Sequence, residues 1–400
     1  MVRVIVFLIL IATASATLAQ QGPRAPLTPA ETLLEPAILR AIDEAGIVPG
    51  LVSAIEGSDA AAGEILIHCV QGNQCGAAMM AARKLQSLVK YQRIPPPSRG
   101  IKVAETLADS STPRTSAILH VAKSSSRAMQ VVRSLWSTAS ITDEIVEIFA
   151  SHAPYGTVPG SVTVRPFENV GQPRSAAYGI PTTAIVAAEG EEGDRQAAFV
   201  VAASAYFLAT LPNAGSEALL SHLTVGAHAR LAEDGRKAVA MMGSQQRASG
   251  EVLMMFALAI DREQRRIRSF ERYLPAPVDP ILHGRILDME KSITGVWASM
   301  GLTPSPFVPP AERIRGRGGE DRRVPTRARP GPLPTPDPPA AMLKFTNRDD
   351  ILGELGNLID GRRSVSDIRD LLSAEFGAQS LPVVSDYFDR LAKAGAVSIR

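Results

Sequence analysis

Chemistry in this chain has to be built from few side chains, since six histidines and two cysteines are spread over 400 residues. Two stretches place such residues beside strong secondary-structure signals. One is Glu64-Ile-Leu-Ile-His-Cys-Val70, which runs into Gln71-Gly72-Asn73-Gln74-Cys75-Gly76; the other is Thr115-Ser-Ala-Ile-Leu-His-Val-Ala122. His68 and His120 fall within apolar runs, where an imidazole satisfied by the core is the ordinary reading. The alternative is a zinc site with His68, Asp109 and His120 as ligands and Glu105 as the catalytic carboxylate, because a hydrolytic zinc needs imidazole and carboxylate donors and a base for its water. His152, His222, His228 and His283 have no partner at ligand spacing such as His-x-x-x-His. Cys69 and Cys75 lack the spacing of a zinc pair. In an exported chain they can pair across a strand-to-helix turn, and otherwise they are two buried thiols. A nucleophilic Cys75 would gain from a helix N-terminus, but no His or Asn partner for it is identifiable. Ser87-Leu-Val-Lys90 matches Ser-x-x-Lys by chance, without the companion motifs, and no nucleophile elbow or phosphate-cradling loop is present.

The elements that would position these residues are legible. The β-branched run ending near Val70, the Gly-Asn-x-x-Gly turn and the apolar stripe Ala78, Ala81, Ala82, Leu85, Leu88 and Val89 predict strand, tight turn and amphipathic helix. In such folds ligands sit at the carboxyl ends of strands, against helix N-termini. Further strands are expected over Arg99 to Leu107, Thr115 to Ala122, Ser161 to Phe167 and Pro181 to Ala187. Helices are expected from Thr28-Pro-Ala-Glu31 towards Glu44, over Ser126 to Ser137 and Thr142 to Ser151, and through most of 193–301. Strands alternating with helices indicate an α/β sandwich with a largely parallel sheet.

A 45% hydrophobic content gives a sizeable core, and a net charge of +2 with 20% charged residues points to neither nucleic acid nor an anionic membrane. Arg3, the apolar run Val4 to Ile11, and Ala14-Ser-Ala16 with Thr17-Leu-Ala19 predict a signal peptide over 1–19 and an exported, periplasmic or secreted protein with no membrane span once it is cleaved. The apolar segment Ala197 to Leu211 is too short to span a bilayer and predicts a buried helix. Residues 28–301 then form the main domain. Residues 302–341 form a linker, with eleven prolines between Thr303 and Ala340 and an arginine-rich middle. Residues 342–400 carry three punctuated helices and a terminal strand, a winged-helix-like pattern. From Ala341 onward, eight Lys plus Arg against nine Asp plus Glu give −1, so the basic footprint of a DNA reader is missing.

Three pieces together resemble the family of co-catalytic zinc aminopeptidases, glutamate carboxypeptidases and the transferrin receptor. Gly72-Asn73-Gln74-Cys75-Gly76 stands where the family has Asp-Asn-x-Ser-Gly before a helix. Gly179-Ile180-Pro181 matches its strand entry, and Ala205-Tyr-Phe-Leu208 ends a long small-residue helix as the family's does. Asp360 to Arg369 and Tyr387 to Val397 resemble the small winged-helix-like module of bacterial exported members. The resemblance implies a three-layer aminopeptidase-like sandwich and a two-zinc site with a bridging carboxylate and a Glu base. It also exposes what is missing. The bridging Asp falls at Gly72, the His-x-Asp loop keeps only His68, the Glu pair has at best Glu105, and residues 182–221 contain no His for the late ligand. His68, Gly72, Asn73 and Cys75 therefore mark a degenerate site, with no metal or other cofactor as the first expectation and zinc as the alternative. The function expected is an exported, catalytically inactive homologue, a pseudoenzyme that binds a peptide or protein partner through the old cleft or the module. The alternatives are an active zinc-dependent aminopeptidase with non-standard ligands and a structural tether protein.

Overall fold

The structure is a computed structural model that describes residues 27–46, 54–59, 62–69, 75–104, 115–123, 125, 127–152, 162–165, 180–212, 215–243, 249–274, 280–299, 321–328, 333, 337–339, 348–376 and 379–400. The stretch read as a signal peptide and most of the stretch read as linker lie outside them. Seven strands form one mixed sheet: β1 (Ala54–Ile55), β2 (Glu64–Cys69), β3 (Gly100–Ala104), β4 (Thr115–Lys123), β5 (Met129–Val132), β6 (Val162–Arg165) and β7 (Thr182–Ala187), in the order β1-β3-β2-β4-β7-β5-β6. The four central strands β3, β2, β4 and β7 are mutually parallel, while β1 is antiparallel to β3 and β5 to β7. Every residue of β2 and β7 is buried, as expected of parallel strands covered on both faces.

One face is covered by helices. Ile65, Ile67 and Cys69 of β2 and Ala117, Leu119 and Val121 of β4 alternate onto that face and share one core with α3 (Gly76–Lys90) and α5 (Glu191–Thr210). Small residues such as Ala78 and Ala81 let α3 approach closely, and Ala197 to Ala209 are buried throughout, which makes α5 the central helix. The short helices α1 (Pro29–Leu33) and α2 (Pro36–Glu44) and the longer α4 (Ile141–Ser151) join this layer, with α6 (Ser216–Gly243), α7 (Ser249–Arg268) and α8 (Pro280–Ser299) outside it. The expected capping box at Thr28 and Glu31 is formed. No described helix is long and apolar enough to cross a membrane.

The helix expected over Ser126 to Ser137 is instead β5 followed by a 3-10 turn at Trp136–Thr138. Met129-Gln-Val-Val132 is a strand-forming run, and β7 offers it an antiparallel edge, so tertiary pairing overrides the serine cap signal.

The C-terminal module contains α9 (Arg348–Asn357), α10 (Val365–Phe376), α11 (Leu381–Lys393) and β9 (Val397–Ile399). Ser364 and Asp367 cap α10 reciprocally. Residues 321–328 lie inside the stretch read as linker, yet belong to this module. Pro325–Arg327 is a strand, β8, paired antiparallel with β9. The first amides of α10, Val365 and Ser366, donate to the carbonyls of Arg323 and Asp321, which satisfies groups a helix N-terminus leaves open. Composition alone reads this piece as tether; the unpaired edge of β9 and the open amides of α10 give it partners.

Arg99, buried just before β3, ties the carboxyl end of α5 to the turn after α7. It donates to the carbonyls of Leu211 and Tyr273, each at 2.7 Å, and lies 5.2 Å from the centre of the Tyr273 ring. Arg99→Ala is expected to lower the unfolding free energy by roughly 3 kcal/mol, because charge-assisted bonds to carbonyls are lost and the carbonyls stay buried. The urea midpoint of the purified variant measures this, and a loss no larger than that of a surface substitution would contradict it.

Candidate functional site

The sheet face turned away from α3 and α5 carries the two histidines of interest. Register aligns His68 with Ala104 on one side and with His120 on the other, and His120 with Ala184, which pairs with Val132. The row Ala104–His68–His120–Ala184–Val132 thus crosses five strands, with two imidazoles in the middle and alanines flanking them. One row nearer the amino ends of the parallel strands, Leu66 and Ile118 form an apolar patch with Ile180. Towards the carboxyl ends, Ala122, Val132, Ala184, Val186 and Leu135 form another, and Phe376 from the end of α10 packs on it. The C-terminal module therefore covers sheet surface beside the imidazoles.

His68 and His120 are brought together more closely than their 52-residue separation suggests. Their Nδ1 atoms are 2.9 Å apart, the rings stack at 5.1 Å between centroids, and both residues are buried. One Nδ1 carries a proton and donates it to the other. His120 Nε2 has no hydrogen-bond partner among the described residues. Burial, and then the neighbouring His68, push the His120 pKa down to about 3; burial lowers that of His68 as well. Both rings are neutral at physiological pH, since a charged imidazole in this dry row has no carboxylate to balance it among the described partners.

On the opposite, helical face, Cys69 at the end of β2 and Cys75 at the start of α3 form a disulfide. Of the two readings open from sequence, the structure has the pair. Beside it, at the carboxyl ends of the strands, Lys123 Nζ meets Asp194 Oδ2 at 2.8 Å in the first turn of α5. Nothing in the spacing of Lys123 and Asp194 along the chain reveals this pair. The end of a strand meets the start of a helix only through the sheet order.

Gly72, Asn73, Glu105 and Asp109, the other residues singled out in sequence, lie outside the described residues. Of the alternative zinc ligands, His68 and His120 converge. Two nitrogens on a tetrahedral zinc at 2.0–2.1 Å would be about 3.3 Å apart, and a catalytic zinc takes three protein ligands. Here the two Nδ1 atoms use each other as hydrogen-bond partners, and among the described residues no group of three His, Cys, Asp or Glu side chains is placed to hold a metal ion. The described donors do not fit a hydrolytic zinc. A charged network lies elsewhere, around α4, α6 and α7. Glu263 is fully buried, and although burial favours its neutral form, Arg266, Arg262 and Arg230 hold its carboxyl well below the usual range. Every carboxylate of that network faces an arginine, which is the chemistry of a structural clamp.

No family model matches this chain, and neither does any curated protein.

A pH dependence follows from the imidazole pair. The folded state holds His120 neutral, so its stability contribution is complete above the ordinary imidazole pKa of about 6.5 and is lost as pH falls towards the depressed value, with a slope approaching roughly 1.4 kcal/mol per pH unit for one proton. Urea midpoints measured from neutral to acid pH should show this slope in the native chain and a shallower one in His120→Gln. Equal slopes would contradict the assignment. The disulfide closes a short loop, so Cys75→Ser should cost roughly 2 kcal/mol in the same assay.

Proposed function

We propose that this chain is an exported, catalytically inactive relative of the zinc aminopeptidases that binds a peptide or protein partner. The observation that carries the reading is the contact between His68 and His120. The two Nδ1 atoms are spent on each other, in a row flanked by alanines and bordered by apolar side chains. Catalysis by an aminopeptidase-like site needs two zinc ions, a bridging carboxylate and a base beside a polarised water. The chain offers Gly72 at the bridging position of the resemblance.

Several features support the family part of the proposal. The sheet is mixed with a parallel centre. A strand ends at Cys69 and a small-residue helix begins at Gly76, on either side of the Gly72 to Gly76 motif, and the long buried helix carries Tyr206-Phe-Leu208 in its last turn. Three short helices with a two-stranded antiparallel ribbon, β8 with β9, support the winged-helix-like reading of the module. The module's charge balance favours a protein or peptide over nucleic acid as its partner.

The test is metal content. The mature protein, incubated with zinc and freed of excess by gel filtration, should retain far less than one zinc per chain and cleave no aminoacyl substrate. About two zinc ions per chain, as a co-catalytic site requires, with activity abolished by His68→Ala, would replace this reading with that of a working hydrolase.

A further inference from the structure

The Cys69–Cys75 disulfide joins the carboxyl end of β2 to the amino end of α3, and its two sulfurs are not equivalent. Cys69 is the last residue of a strand buried from end to end and is itself 0% exposed. Cys75 is 7% exposed and is the N-cap residue of α3. The next residue, Gly76, is exposed, and a Cβ added there would meet only Asp194 among the described residues, with Oδ2 at 3.6 Å. The pair is therefore approached from solvent on the Cys75 side.

That side is electropositive. Cys75 adjoins the first amides of a 15-residue helix, which have no intrahelical acceptors and carry the positive end of its dipole. A cation stands beside them. Cys69 is level with Val121 in the parallel pairing of β2 and β4, and Lys123, two residues further on, lies on the same face just past the end of β2. Lys123 Nζ is 2.8 Å from Asp194 Oδ2, the same oxygen that abuts Gly76. The other charges in the first turn of α5 are engaged among themselves, Arg195 with Glu191 and Glu192. Strand order thus brings a lysine, a carboxylate and a helix N-terminus to one disulfide.

We infer that Cys69–Cys75 is an exchangeable disulfide that accepts electrons from a dithiol, with Cys75 as the sulfur attacked. A thiolate of the dithiol attacks Cys75 Sγ, the bond between the two cysteines breaks, and Cys69 leaves and takes up a proton. The donor's second thiolate then attacks the donor sulfur of the mixed disulfide and expels Cys75 as a thiolate. The donor ends as a disulfide. Two electrons have passed to the protein, one of the donor's two protons is on Cys69 and the other is in water. The positive potential acts twice: it draws the attacking thiolate and it stabilises the Cys75 thiolate, and a stabilised reduced form makes a disulfide a stronger oxidant. A disulfide that only held strand to helix would need neither lysine nor open amides, and would be best closed to thiols on both sides. The exchange uses the helical face of the sheet, so it does not depend on the peptide-binding reading.

The test treats full-length oxidised protein with dithiothreitol as the probe dithiol, at about pH 7, below the ordinary cysteine pKa of about 8.5. Freed thiols are counted by a maleimide gel shift while circular dichroism follows the fold. Reduction should run severalfold faster in the native protein than in the urea-unfolded chain, and the fold should persist. Lys123→Gln should slow native reduction severalfold, and Lys123→Arg should restore it. In Cys69→Ser, iodoacetamide should alkylate the remaining thiol severalfold faster in the native than in the unfolded chain, a readout that stands even if Lys123→Gln fails to fold. A native disulfide reduced no faster than the unfolded one, an unchanged rate in folded Lys123→Gln, or a Cys75 thiol shielded from iodoacetamide in the native protein would each overturn the inference.

Discussion

A parallel sheet has to be covered on both faces, and most of this structure follows from how the two covers differ. The strands β2 and β7 are buried throughout and β4 in all but its last residue, so neither face of the sheet's centre can be left to water. On one side the cover is made from the sheet's own connections: α3 leads from β2 towards β3, and α5 follows β7 directly. On the other side a cover comes from much later in the chain, where α10 sets Phe376 on Ala122, Val132, Ala184 and Val186. The first cover is local in sequence and dense with alanine. The second depends on a separate module finding its place.

That asymmetry places the chemistry. The imidazoles of His68 and His120 lie on the face with the distant cover, so their dryness, and with it their neutral state, belongs to a surface partly sealed by the module. The carboxyls of Glu354 and Glu375 lie at the edge of the same cover, against amides that the 3-10 turn leaves open. The imidazole pair suppresses a positive charge. It owes this to burial with no carboxylate beside it among the described residues, whereas Glu263, equally buried, keeps its charge because arginines surround it.

The disulfide and the Lys123–Asp194 pair sit at the carboxyl ends of the strands, where an α/β fold normally gathers a site. In this chain those positions hold a covalent tie between strand and helix and an ion pair between the next strand and the central helix. Both fasten the end of a strand to the start of a helix.

Periodicity and punctuation in the sequence by themselves determined the α/β class, the strands around His68, His120 and Ala184, the central helix through Tyr206 and the three helices of the module. These signals are local: β-branched runs, apolar stripes at helical spacing, and caps such as Thr28 and Ser364. The tertiary structure alone decided three things. It turned Met129 to Val132 into a strand, because β7 had an edge to offer. It drew residues 321–328 out of a proline-rich tether into a ribbon with β9, because an unpaired strand and open helix amides supplied partners. And it set His68 against His120, and Glu354 and Glu375 against Ser137 and Trp136, since strand order and module docking are long-range facts that no spacing in the chain encodes.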